Sequence, residues 1–267
     1  MSAGQAAMPD TLHAEWTKLR TVSGTTWLLA GVVAATIGVS AAAVAATKCA
    51  SGLGCPADTT KLSLTGVYLG QAVVAILAVL AVGNEYSTGM IRVTLTAMPR
   101  RLAVLAAKAA IVGTMALVAG AIAIAGSLLA GRLTLPGNGF TAAHGYAALS
   151  LAHGPTLRAA CGSVLYLALI AMFSLGIATA VRDSAVSIGL SLGMLYLPPI
   201  LIALTVTNPV WLHRLQRYTP MTAGLTIQNT TGLHGLPITP WAGLGVLALW
   251  ATAALLIGGL LLRMRDA

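Results

Sequence analysis

Six stretches of this chain, at about 25–47, 62–83, 102–130, 158–181, 185–207 and 241–262, are apolar and almost free of charge. A membrane-crossing helix needs about 20 mostly apolar residues, because the hydrocarbon core is roughly 30 Å thick. Each stretch meets that length, and together they take up about half of the 267-residue chain. Charged residues make up only 8% of the sequence and hydrophobic ones 57%, whereas soluble domains carry roughly 25% charged residues. With a mean hydropathy of +0.87, the chain reads as an all-α integral membrane protein of six spans.

The segments between the spans differ in kind. The loop 48–61 holds Gly, Pro and Cys; the loop 131–157 holds Pro136, Gly137, Asn138, Gly139, His144 and His153, with a short apolar helix expected near 142–152. Arg182, Asp183 and Ser184 make the tightest turn, and Pro198 and Pro199 interrupt the fifth span. The region 208–240 is too apolar for a free loop and too broken for a span. Trp211, Leu215 and Tyr218 give it one stripe, and Pro220, Gly224, Gly232, Gly235 and Pro237 break it. Two short re-entrant helices dipping into the outer leaflet suit that pattern if protein covers their ends; a surface loop is the alternative.

An even number of spans puts both termini on one side. That side carries Lys18, Arg20, Arg92, Arg100, Arg101, Lys108, Arg182, Arg263 and Arg265, against Lys48, Lys61, Arg132, Arg158, Arg214 and Arg217 on the other. The excess of basic residues places both termini and the 84–101 loop in the cytoplasm and the protein in the plasma membrane.

Two polar segments have amphipathic order. In 9–21, Leu12, Trp16 and Leu19 fall at i, i+4 and i+7, with Met8 extending the stripe and Glu15, Lys18 and Arg20 elsewhere. Asp10 or Thr11 can cap its start, so an interfacial helix is expected, a soluble arm being the alternative. In 84–101, read N-E-Y-S-T-G-M-I-R-V-T-L-T-A-M-P-R-R, Tyr86, Met90, Val93 and Ala97 share one face of a short helix that Pro99 ends. Arg100, Arg101 and Lys108 follow at the membrane boundary. Such a helix can lie on the membrane or dock into a partner's groove.

The net charge of +9 and pI near 10 come from groups flanking apolar spans, so membrane lipids rather than nucleic acid are the expected counterpart. The N-terminus lacks the basic n-region of a cleaved signal peptide, so the first span is expected to stay. Cys49 and Cys55 share a polar loop and read either as a bridge or as two free thiols; Cys161, at the head of a span, reads as a small packing residue.

No charge sits mid-span by this reading, which argues against a proton-coupled transporter and favours a hydrophobic or amphiphilic substrate. The five histidines lack the H-E-x-x-H spacing of a zinc site, and no Lys follows a Gly, so the phosphate-binding loop is missing. The chain is not expected to be an enzyme, and an ATPase that drives it must be another polypeptide.

Four runs, L-H-A-E-W-T-K-L-R-T (12–21), G-N-E-Y-S-T-G-M-I-R (83–92), P-R-R-L-A-V-L-A-A-K (99–108) and R-Y-T-P-M-T-A-G (217–224), resemble the permeases of ATP-binding cassette transporters of the type-2 exporter class. The ending L-L-R-M-R-D-A is similar to that of many actinobacterial members. The most specific part is E-x-x-x-G-x-x-R at Glu85, Gly89 and Arg92. The resemblance implies an N-terminal connecting helix at 9–21, a coupling helix at 86–97 and two re-entrant helices before the sixth span. It also implies a permease homodimer or heterodimer working with a separate nucleotide-binding subunit that holds ATP and Mg. The partner-coupling residues would be Glu85, Tyr86, Thr88, Gly89, Met90, Arg92, Arg100 and Arg101. A different class, an immunity or sensory membrane protein that docks a cytoplasmic partner through the same helix, is the competing reading; there Glu85 and Arg92 only flank the membrane.

Overall fold

The computed structural model describes residues 23–49, 57–87, 101–142, 146 and 149–264, and the regular structure among them is helical throughout. In chain order the helices are α1 (Ser23–Ala46), α2 (Thr59–Ser63), α3 (Val67–Ser87), α4 (Arg101–Thr134), α5 (Gly154–Val181), α6 (Ser184–Thr205), α7 (Pro209–Gln216), α8 (Pro220–Leu225) and α9 (Pro240–Met264). Short 3-10 turns lie at Pro136–Asn138, Thr226–Gln228 and Leu233–Gly235. Five helices are long and apolar enough to cross a membrane: Gly24–Ala46, Leu102–Thr134, Gly154–Val181, Ser184–Thr205 and Pro240–Met264. The apolar helix Val67–Gly83 is shorter. This is the pattern of a multi-pass helical membrane protein.

The second predicted span begins later than expected because the chain turns at 64–66, and its helix α3 then runs to Ser87. A Cβ on Gly66 would stand 1.8 Å from the Thr36 carbonyl oxygen on α1, so only glycine allows the turn to press this close. The Gly66 amide donates to Ser40 Oγ at 2.9 Å, giving the turn a partner from another helix. Two further expectations are corrected. Pro198 and Pro199 do not interrupt α6, which runs through them; neighbouring helices supply the support that an isolated helix would lack. No helix spans 149–152, the described end of the 142–152 segment, which forms turns instead. Cys161 is also placed differently, exposed on the bundle surface rather than packed.

The bundle is organised around α5. Of its most apolar stretch 61% is buried, against 22–39% for the other four long helices, and it touches α3, α4, α6, α8 and α9. Small residues set how close the neighbours come. A Cβ on Gly176 would lie 2.4 Å from the backbone carbon of Ala254, and one on Gly258 would lie 2.7 Å from the Gly176 carbonyl oxygen. Since lipid tails are as apolar as leucine, helices associate in a membrane through such packing rather than through hydrophobic force.

The contacts sort the connections into two ends. At one end, Asn138 Nδ2 donates to the Val44 carbonyl at 2.9 Å, Gly131 abuts Ser63 and Thr60 pairs with Thr156; this is called the distal end. At the proximal end Gly83 meets Ser184, and Gly259 faces Leu102 and Leu105.

Replacing Gly176 with Val forces α5 and α9 apart. Thermal melting of the purified protein in mild detergent is expected to show a loss of about 1–3 kcal/mol, the usual cost of overpacking. Gly189→Val, where nothing lies within 4 Å, should leave melting unchanged.

Candidate functional site

The predicted docking segment belongs to the proximal end. Glu85 and Tyr86 lie in the final turn of α3, which continues to Ser87, and Arg101 is the first residue of α4. The helix expected to begin at Tyr86 is therefore, over residues 86 and 87, the continuation of α3 rather than a new element. Thr88, Gly89, Met90, Arg92 and Arg100 lie outside the described residues, as do Leu12, Glu15, Trp16, Lys18, Leu19 and Arg20 of the interfacial segment. The frame around the segment is firm: α3 and α4 touch each other, and Gly83 is pressed on Ser184 at the start of α6. Behind that contact, Arg182 takes a left-handed conformation (φ 65°) to end α5, and the Asp183 carboxylate accepts the Val186 amide at 2.8 Å to start α6.

Lys108 was expected at the aqueous boundary. It is 4% exposed and sits seven residues into α4, roughly 10 Å along the helix. Burial of a lysine inside an apolar bundle is costly unless its charge is matched, and Lys108 lies in the first third of α4 rather than at its middle. On α6, Gly189-Leu190-Ser191-Leu192-Gly193 spells the G-x-S-x-G of a hydrolase nucleophile elbow. That motif needs a sharp strand-to-helix turn that exposes the serine. Here it is mid-helix with Ser191 fully buried, so it has no such chemistry. Among the described residues no group of three or more His, Cys, Asp or Glu could hold a metal ion. Cys49 is disulfide-bonded and Cys161 is a free thiol; Cys55 lies outside the described residues.

Sequence reasoning missed a polar cluster inside the bundle, between α3, α5 and α6. The Tyr166 hydroxyl donates to Gln71 Oε1, and both residues are completely buried. Tyr196 donates its hydroxyl to the Tyr68 carbonyl, tying α6 to α3. The Gln71 carboxamide also faces Tyr196, but its Nε2 meets hydrogen-bond geometry with no partner. A single Gln within an apolar run was the one signal available in the sequence, and its partners come from helices 95 or more residues away.

The region 208–240 contains two short helices, α7 and α8, and α8 and the turn after it pack against α9. Gly243 abuts Ala223 and Thr226, and Gly224 abuts Leu247. Trp250 Nε1 donates to the Tyr218 carbonyl at 3.0 Å. That bond ties the residue just past α7 to the middle of α9. Asn208 and Pro209 start α7, the Asn208 side chain accepting the Val210 amide at 3.0 Å. The stripe Trp211, Leu215 and Tyr218 is exposed, while α8 is buried. Arg214 covers the Trp211 ring at 5.4 Å, a pairing suited to the headgroup layer.

No protein-family model matches the chain, and no curated protein matches it.

Tyr166→Phe strands a buried carboxamide, whereas Gln71→Leu with Tyr166→Phe removes both partners. The double variant should therefore melt closer to the parent than the two single losses added together. The coupling expected from a double-mutant cycle in detergent is about 0.6–1.7 kcal/mol.

Proposed function

We propose that this chain is the transmembrane permease subunit of an ATP-binding cassette exporter of the type-2 class. In this reading it moves a hydrophobic or amphiphilic substrate with ATP hydrolysed, in the presence of Mg, by a separate nucleotide-binding subunit. The observation that carries the reading is the run G-N-E-Y-S-T-G-M-I-R, which joins α3 to α4 and starts where α3 is packed against α6. A rigid segment held by several spans turns the rotation of a seated partner into displacement of those spans. Val67–Gly83 counts as the second of six spans in this reading, and α7 and α8 form the re-entrant pair before the last. Both termini and the 84–101 loop face the cytoplasm of a plasma membrane, and two permease copies assemble with two motor subunits.

Two features support that orientation. Basic residues exceed at the proximal side. The distal end carries the bonded Cys49, and disulfides persist in oxidising compartments. Cys55, the remaining loop cysteine, is its proposed partner.

Co-purification in mild detergent tests the assignment, since a nucleotide-binding ATPase should accompany the chain; repeated isolation without one would overturn it. In the isolated complex Glu85→Ala or Arg92→Ala should lower transport-coupled ATP hydrolysis about tenfold, the factor that corresponds to 1.4 kcal/mol. Membrane insertion should be unchanged, as judged by protein yield in the membrane fraction.

A further inference from the structure

The distal end of the bundle carries a groove whose two ends differ in chemistry. It lies between the last turns of α4 and the segment 149–156 that leads into α5, and its volume is about 440 Å³, within the roughly 300–1,000 Å³ of small-molecule sites. Leu128 and Leu149 are buried and make its floor, where Gly131 lets α4 press on the Leu149 side chain. Leu129 and Leu151, 58% and 52% exposed, make its apolar walls. Arg132 lines the outer end and is exposed. Leu128, Leu129 and Arg132 share one face of α4 at spacings of four and three residues. Outwards from the middle of the bundle, the groove is therefore first apolar and then cationic.

The charges that bracket two spans set the depth of Arg132. Lys108 and Arg132 enclose the uncharged run 109–131 of α4, and Arg158 and Arg182 enclose 159–181 of α5, 23 residues in each case. That is about 35 Å of helix, little more than the roughly 30 Å hydrocarbon core. Arg132 and Arg158 thus stand together at the distal headgroup layer.

Counter-charge at that end is scarce. Of the six acidic residues, Asp10 and Glu15 precede α1, Glu85 and Asp183 lie at the proximal end and Asp266 follows α9, which leaves Asp58. The Asp58 carboxylate is already engaged, accepting the Lys61 amide at 3.0 Å, the Thr230 hydroxyl at 2.7 Å and the Thr231 amide at 3.1 Å. Against it the distal connections hold Lys48, Lys61, Arg132, Arg158, Arg214 and Arg217, so negative charge for Arg132 has to come from outside the chain.

We propose that this groove binds an anionic phospholipid of the distal leaflet, its phosphate on the Arg132 guanidinium and an acyl chain along Leu128, Leu129 and Leu151. A phospholipid inserts with its charge outermost and its chain inwards, which is the order of the groove. A second copy seated groove to groove about a two-fold axis would bring two Arg132 guanidiniums together, a like-charge contact that works against that occupant. The site rests on the multi-pass fold and not on the permease reading.

The test uses the full chain in vesicles of phosphatidylcholine and phosphatidylglycerol, with one or the other lipid carrying brominated acyl chains. A bimane label on Leu151→Cys, in a Cys161→Ser background, reports contact by quenching, and a label on Leu249→Cys of α9 reports the general lipid-facing surface. At the Leu151 position phosphatidylglycerol should be preferred about fivefold, the factor that one basic residue supplies at an anionic surface. Arg132→Gln should bring this preference to parity and Arg132→Lys should keep most of it, while the Leu249 position reads the same in all three. Equal quenching by both lipids at the parent Leu151 position overturns the proposal, as does a preference that survives Arg132→Gln or one that falls equally at Leu249. Quenching by neither lipid would mean that protein, from this chain or a second copy, fills the groove, and overturns it too. Where the labelled variant does not reconstitute, native mass spectrometry of the unlabelled chain decides: the parent should retain phosphatidylglycerol about fivefold better than Arg132→Gln, and equal retention overturns the site. Isolation without a nucleotide-binding partner would sink the permease reading and leave these ratios unchanged.

Discussion

The close meeting of α5 and α9 at Gly176 and Gly258 is the contact on which the remaining architecture depends. Hydrocarbon solvates leucine as well as another leucine does, so helices in a bilayer gain from contact only where their surfaces fit. Glycine at the crossing brings two backbones together, and α5 then becomes a post around which α3, α4, α6 and α8 arrange themselves. The same device recurs at Gly66 against α1 and at Gly224 against the Tyr166 ring. In each case the missing side chain belongs to the element that must come near, and a large or polar partner fills the space.

Close packing in turn decides where irregular chain can go. Backbone amides and carbonyls without partners are costly in a medium that cannot bond to them. In the 208–240 region, α8 is buried where α5, α6 and α9 surround it. The turn after α8 ends on Asp58, whose carboxylate accepts the Thr230 and Thr231 amides. In the cluster of Gln71, Tyr166 and Tyr196 both tyrosine hydroxyls find acceptors on another helix, α3.

Hydropathy alone made the spans legible, because about 20 apolar residues have few other uses. The ends were legible where a residue type dictates them, as with Asp183 ahead of α6 and Pro240 at the start of α9. What was not legible depends on neighbours. The turn at 64–66 exists because Thr36 and Ser40 of α1 receive Gly66, and no local pattern announces that. Pro198 and Pro199 look like breakers in one dimension, yet the bundle holds α6 through them. Lys108 was assigned to the boundary from its distance to the loop, whereas its burial depends on the faces of α4 that other helices cover. Of the segment expected to dock a partner, the structure describes the flanking helix ends, at Glu85 and Arg101.

The adjacent prolines of α6 have one more consequence. Neither has an amide hydrogen, so the carbonyls of Met194 and Leu195 lose their partners four residues ahead. The hydrogen-bond ladder therefore has a two-rung gap just where the Tyr196 hydroxyl fastens to Tyr68. Below that fastening α6 is bolted to α3; above it, the exposed turns carrying Leu201 and Leu204 have less to stiffen them. A rod of this design is like a fishing pole clamped at the butt, its weakest point set at one height by the sequence itself.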